Sequence, residues 1–327
     1  MMASTIRRLV RFDDRRALPF ALAAALVLAA CGGGSDAPEG EAPAQTEAPA
    51  AQDGDMIIVS GASGQLGEMV VEALLERGVP ASRLILVSRT PDELEQYASM
   101  GASTRFGDFT QPESLPAAYE GGDRMLLISI NTGVGENRAQ LHKNAIDAAV
   151  AAGVQHIAYT SLINAPDNDS PLAADHKATE QFLMDSGVAW TMLRNSLYMD
   201  PLLTRAMDMI VDGRVERSEY GASYVTRYDC ADAAAAVLTT DGHDNQAYDI
   251  TGPAVVRPQD IATALTEVTG LSVRVVDADS PSDGGLLSDP SYQIVSDAVQ
   301  QLTGHAPTSV EEFFEFNHDD IMAGTGA

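Results

Sequence analysis

Seven residues, Gly61-Ala62-Ser63-Gly64-Gln65-Leu66-Gly67, set glycines three apart. That spacing suits a backbone with three tasks. It must turn tightly, let a diphosphate approach its amides, and seat a helix close against a strand. Further along, Arg89 follows the apolar run Leu84-Ile85-Leu86-Val87-Ser88. Dinucleotide sites place an acidic residue there for a ribose 2′-hydroxyl, or an arginine for a 2′-phosphate. Arg89 therefore points to NADP(H). A solvated arginine on a strand-end loop is the plainer alternative.

These residues need elements to hold them. Met56–Ser60 is a short apolar run, read as a buried parallel strand. Glu68–Arg77 has helical periodicity through Val70, Val71, Leu74 and Leu75 and stops at Gly78. Strand, glycine turn and helix together make a dinucleotide fingerprint; the glycines alone would be a weak sign. Leu84–Ser88, Thr104–Phe109, Met125–Ile130, His156–Thr160 and Ala189–Leu193 read as further strands, with an amphipathic helix over Glu136–Ala152. The alternation predicts an α/β fold: a Rossmann-like, doubly wound parallel sheet with helices on both faces. Ligands of such sheets lie outside the carboxyl ends of the strands. Gly61, Arg89, Asp108, Asn131, Ser161 and Asn195 stand there, with Ser63, Gly64, Gln65, Leu66 and Gly67 in the turn.

The chain has 327 residues, with 20 Lys+Arg against 47 Asp+Glu and a formal charge of −27. Such an acidic surface repels nucleic-acid phosphates, so no nucleic-acid partner is expected. A hydrophobic content of 45% excludes wholesale disorder. Two cysteines, Cys31 and Cys230, exclude a disulfide framework and a Cys-rich metal site, and the histidines show no metal spacing. Cys230 reads as a small hydrophobe, Trp190 as core, Asp319-Asp320 as a surface helix, and Asp229 as a helix cap.

Residues 1–30 carry Arg7, Arg8, Arg11, Arg15 and Arg16, then an apolar run from Ala17 to Ala30. The run has secretory length and is too short to span a bilayer. It ends in Leu28-Ala29-Ala30-Cys31-Gly32, which resembles a bacterial lipobox. The resemblance implies cleavage before Cys31 and lipidation of its thiol; each buried methylene of the acyl chains contributes about 0.8 kcal/mol. Arg15-Arg16 fits a twin-arginine signal or an ordinary basic n-region equally well. The expected organisation is a signal peptide over 1–30, a lipidated tether over 31–55 and a folded domain over 56–327. The expected location is the cell envelope, lipid-anchored on the periplasmic or external side, with the lipid as the only membrane contact. NADPH is made in the cytoplasm, and that conflict stays open here, as does the oligomeric state, a homodimer included.

The folded part resembles the NmrA-like family of atypical short-chain dehydrogenase/reductases, and within it the branch of bacterial NADPH:quinone oxidoreductases of type 2. The resemblance rests on the glycine turn, Ser88-Arg89-Thr90-Pro91, Leu126–Ser129, His156–Leu162, Ser170-Pro171-Leu172, His176 with Thr179-Glu180, Leu193-Arg194-Asn195 with Tyr198, and Thr226-Arg227 with Asp229. It implies NADP(H) as cofactor and a smaller C-terminal lobe, mainly about 195–225 and 251–327, over the substrate. Hydride would pass from the nicotinamide to a quinone or similar small electrophile. Asp108 and Phe109 would flank the adenine; Ser129, Ile130 and Asn131 would border ribose and nicotinamide. His176, Lys177, Asn195 and Tyr198 would meet the substrate, Tyr198 by stacking, unless it is core filler. The usual catalytic tyrosine four residues before a lysine is absent, since Ala173 holds that place before Lys177. Asp277–Ser288 is also shorter than the branch's segment. A non-catalytic NADP(H)-binding sensor or ligand-binding lipoprotein is thus the alternative.

Overall fold

The computed structural model describes residues 54–131, 137–278 and 285–325. The expected signal peptide, Cys31 and nearly all of the tether lie outside the described residues, as does 279–284 of the short Asp277–Ser288 segment. Strands and helices alternate from β1 (Ile57–Ser60), α1 (Gln65–Glu76) and β2 (Leu84–Ser88) through α2 (Glu95–Ser99), β3 (Ser103–Phe106) and α3 (Leu115–Tyr119). Then come β4 (Arg124–Leu127), α4 (Arg138–Ala151), β5 (His156–Leu162), α5 (Ala174–Asp185), β6 (Ala189–Asn195) and α6 (Leu202–Asp212). The chain continues with β7 (Arg214–Glu216), α7 (Arg227–Thr239), β8 (Gln246–Ile250), α8 (Pro258–Thr269) and β9 (Arg274–Val276), and closes on α9 (Ala298–Thr303), α10 (Val310–Phe316) and α11 (His318–Thr325). Among the described residues no helix is long and apolar enough to cross a membrane.

The main sheet has seven parallel strands in the order β3-β2-β1-β4-β5-β6-β8. Alternate strand residues face opposite sides, so β1 feeds two cores. Ile57 and Val59 pack with α1, the alanine-rich α7 and α9. Ile58 packs with Leu115, Tyr119, Ile146 and Leu183 from α3, α4 and α5. The strand order reverses direction between β1 and β4, and that switch point opens a crevice at the carboxyl edge.

The strand ends differ from the sequence reading for identifiable reasons. β4 stops at Leu127. Ile128 N–H still donates to Ser60 O (3.2 Å), but the next two amides find side chains instead: Ser129 N–H donates to Thr160 Oγ1 (2.8 Å) and Ile130 N–H to His142 Nε2 (3.1 Å). β5 and β6 run further than expected because they continue to pair with each other through Leu162↔Asn195. β8 was not anticipated; it is a half-exposed edge strand with mixed residues. Thr226, rather than Asp229, caps α7: its hydroxyl accepts from Asp229 N–H (3.0 Å). Asp229 is instead buried, and its carboxylate accepts from Thr226 Oγ1 (2.7 Å) and Thr308 N–H (3.0 Å), tying α7 to the segment before α10.

Beyond the sheet, β7 and β9 form a small parallel pair through Val215↔Val275. α6 and α8 pack on it, α10 and α11 pack on those helices, and α9 lies on α7.

Candidate active site

The site begins at the glycine turn. Gly61 has a φ of +98°, in the region that favours glycine, and a Cβ there would press 3.3 Å from Ile128. A Cβ on Gly67 would overlap the Gly61 carbonyl oxygen and sit 2.8 Å from Ala62 Cα, both backbone. Only glycine lets α1 start this close to β1. The Gly61 and Ala62 amides are spent on Val87 O (2.9 and 3.0 Å), which locks the turn to β2. No side chain caps α1. Its first-turn amides at Gln65 and Leu66 are therefore left for an outside acceptor, and an anion suits them. This cradle fits a dinucleotide diphosphate.

A cleft of about 1040 Å³ extends from the turn along the strand ends. Its wall brings together Gly61, Ser63, Gly64, Gln65, Leu66, Gly67, Arg89, Asp108, Phe109, Ser129, Ile130, Asn131, Ser161, His176, Asn195 and Tyr198. Lys177 is not on this wall. It sits one residue further round α5 and reaches Asp169 instead (3.6 Å).

At one end Arg89 is exposed and makes no ion pair among the described residues. Around it Ser63 and Ser88 hydroxyls bond at 2.6 Å, Thr90 N–H donates to Ser88 Oγ (2.9 Å), and Thr90 Oγ1 donates to Glu93 (2.8 Å). Glu93 is thus held by Thr90, and the guanidinium is left for a ligand phosphate. Asp108 accepts from the Thr110 amide (2.9 Å) and hydroxyl (2.8 Å), and Phe109 is buried beside it.

The other end is a buried polar chain. Arg138, from the first turn of α4, donates Nε–H to Ile130 O (2.6 Å) and an Nη2–H to His176 Nε2 (3.2 Å). A guanidinium only donates, so His176 carries its proton on Nδ1 and donates it to the Tyr159 hydroxyl oxygen (2.9 Å). The Tyr159 hydroxyl also lies 3.5 Å from His142 Nδ1, and Thr179 Oγ1 donates to Asp175 O (2.7 Å). His142 accepts from Ile130 N–H at Nε2, so its Nδ1–H donates to Thr179 Oγ1 (3.0 Å). Both imidazoles are neutral in this pattern. Burial, and then the Arg138 charge, hold His142 and His176 down at about 3. Burial pushes the Tyr159 phenol up.

Asn195 and Tyr198 close this end. Asn195 is buried and donates Nδ2–H to the Tyr198 hydroxyl (3.3 Å), while its Oδ1 has no partner. The Arg227 guanidinium lies 4.6 Å from the Tyr198 ring centre and pairs with Asp200 (2.8 Å), so one face of that ring is already covered. Burial raises the Tyr198 phenol. Ser161 donates to Glu180 (2.6 Å), which also holds Arg194. Among the described residues no group of three potential metal ligands exists.

Sequence reasoning missed Arg138, His142, Tyr159 and Arg227. The available signal was the Arg138/His142 spacing, one helical turn apart at the start of the helix after β4, which aims both side chains at the same strand end.

Residues 61–241 match the NAD(P)H-binding family model. The chain is 34% identical over 285 residues to quinone oxidoreductase 2 of Escherichia coli strain K12, covering 79% of this chain and 96% of that protein. It is 30% identical over 281 residues to the NAD(P)H azoreductase of Xenophilus azovorans, with the same two coverages. Among solved structures, the E. coli NADPH-dependent quinone oxidoreductase QOR2 complexed with NADPH superposes with a TM-score of 0.72 at 32% identity, covering 81% of this chain and 100% of that one. The cradle, the cleft and these likenesses agree, and the chain belongs to the NAD(P)H-binding family, among the NmrA-like reductases that its sequence resembles.

Proposed function

We propose that this protein is an NADPH-dependent oxidoreductase that delivers hydride to a quinone or a similarly flat, electron-poor small molecule. One observation carries the reading. A single cleft joins an anion cradle and a free arginine at one end to a buried polar pocket at the other. Bound NADPH would supply the hydride from its nicotinamide. The turn amides would hold the diphosphate, and Arg89 the 2′-phosphate. Ser129, Ile130 and Asn131 would border the nicotinamide, whose amide offers a donor to the unpartnered Asn195 Oδ1. Tyr198 would form a wall for the acceptor rather than a freely stacking ring.

Both histidines of the pocket are neutral, and Lys177 is off the wall. That favours an acceptor which needs no strong acid in the hydride step, as a quinone does. Stopped-flow loss of NADPH absorbance on mixing with benzoquinone tests the reading. Arg89→Glu should weaken NADPH roughly 10-fold, the modest end for a charged contact at an exposed site. Tight NADPH binding without reduction of any acceptor would favour the sensor reading instead, which the broken tyrosine–lysine spacing supports. The lipobox supports an envelope lipoprotein tethered through Cys31. A Cys31→Ala variant that stays membrane-bound would overturn that location.

A further inference from the structure

We propose that Arg138 is the fixed positive charge that stabilises negative charge as it develops on the hydride acceptor. This rests on the hydride-transfer reading of the cleft. Arg138 is only 4% exposed, yet it forms part of the cleft wall beside Ile130 and His176. Two of its nitrogens are spent on Ile130 O and His176, which fix its plane. The third, Nη1, is buried and has no hydrogen-bond partner among the described residues. Among the described residues the one carboxylate paired with it, Asp175, stands 3.9 Å from Nη1, and its side chain is 42% exposed.

Among the described residues, the groups around Arg138 balance this charge only weakly. From α4 comes neutral His142, and from β5 the protonated Tyr159. From α5 come neutral His176, the water-screened Asp175, and Glu180, which is committed to Ser161 and Arg194. Burying an uncompensated charge is unfavourable, and an anion arriving beside it is correspondingly favoured. The cofactor's own phosphates have the glycine turn and Arg89, at the other end. The anion left for Arg138 is the one made by the reaction. The quinone takes up hydrogen with both electrons of the nicotinamide C4–H bond, giving NADP⁺ and the hydroquinone monoanion. A solvent proton then completes the hydroquinone.

The test is single-turnover hydride transfer from the NADPH complex to a series of benzoquinones of falling electron affinity. Arg138→Met should keep NADPH affinity within about threefold and slow transfer by roughly 10²–10³-fold, as for loss of an oxyanion donor. The loss should be steepest for the poorest acceptors, and Arg138→Lys should restore part of the rate. A purely structural role would slow all acceptors equally, and that result overturns the proposal. So does Arg138→Met transferring hydride at the wild-type rate. Wild-type protein that leaves NADPH unoxidised by every quinone of the series would instead remove the hydride-transfer reading, and this one with it. A readout on wild-type protein covers the case of a variant that fails to fold. Substituted phenols bound to the NADP⁺ complex should show phenolate absorbance well below their free pKa values. Their binding only as neutral phenols would refute the role.

Discussion

Two arginines near β5, Arg138 buried on α4 and Arg194 partly buried on β6, are treated in opposite ways. Arg194 on β6 donates Nε–H and Nη2–H to the two oxygens of Glu180 (2.9 and 2.8 Å), which also accepts from Ser161. Burial works against the Arg194 charge, but this bidentate pair outweighs it and raises the arginine further. Arg138 donates to a carbonyl and a neutral imidazole, and the one carboxylate paired with it among the described residues, Asp175, is 3.9 Å off and half-exposed. The first arrangement is closed: every charge has its counter-charge, and the pair rivets α5 to β6. The second is open, and the cleft runs past it. A chain that can build the closed form one strand away has kept the open form where a ligand is expected.

The comparison breaks most visibly through Glu180. Glu180→Ala leaves Arg194 buried without its counter-charge and Ser161 without its acceptor. Removing one member of such a pair costs about 3–5 kcal/mol, with the lower end expected because the Arg194 side chain is 19% exposed. Urea unfolding followed by far-UV circular dichroism should show the loss. Arg138→Met, measured the same way, should cost less, about 1–2 kcal/mol, because it leaves Ile130 O and His176 Nε2 without a donor but strands no bidentate carboxylate. Equal losses for the two variants would erase the distinction drawn between them.

A second effect follows from the histidines packed with Arg138. Burial first, and then Arg138, hold His142 and His176 at about 3 in the fold, against an unfolded value near 6.5. Between these values the unfolded chain binds protons that the native chain does not. Stability is therefore complete above about pH 6.5 and falls as pH drops toward 3, by up to about 1.4 kcal/mol per pH unit for each histidine. His305 is hydrogen-bonded to Asp232 and shifted upward; being partly exposed, it opposes this trend weakly. The hydride step should be level from pH 5 to 8, since neither pocket histidine titrates there. A break near pH 6.5 in the single-turnover rate would mean that His176 carries a proton the network forbids.

Much of the frame could be read in advance because its signals are local. Buried parallel strands are continuous apolar runs, and the glycine turn lies between one such run and a helix. β8 escaped because an edge strand needs no apolar run: Gln246-Ala247-Tyr248-Asp249-Ile250 mixes polar and apolar residues. That Gly61, Arg89, Asp108, Asn131, Ser161 and Asn195 share one cleft wall followed from strand ends alone. The Arg138 chain did not, because its partners meet across elements. Arg138 and His176 are 38 residues apart, and Tyr159 and His176 are 17 apart. No spacing rule joins them; only the stacking of α4 and α5 on β5 does. Lys177 failed as a wall residue for a related reason. One step along a helix turns a side chain by about 100°, so His176 inward puts Lys177 aside.

The smallest expected effect sharpens the same contrast. Tyr159→Phe removes the oxygen that accepts from His176 Nδ1–H and lies beside His142 Nδ1, and leaves the ring in its core position. One buried N–H then lacks a partner, which costs about 1–3 kcal/mol. If the chain from Arg138 to Thr179 only fills space, the variant should lose that stability and nothing else. If it holds the guanidinium in place, His176 gains the freedom to turn, Arg138 loses its plane, and hydride transfer to poor quinone acceptors falls several-fold more than transfer to good ones. Electrostatics weakened by a misplaced charge has that signature, whereas a loosened fold slows all acceptors alike. The ratio of the two rates, measured beside Arg138→Met in the same acceptor series, decides whether Tyr159 positions the charge or merely packs behind it.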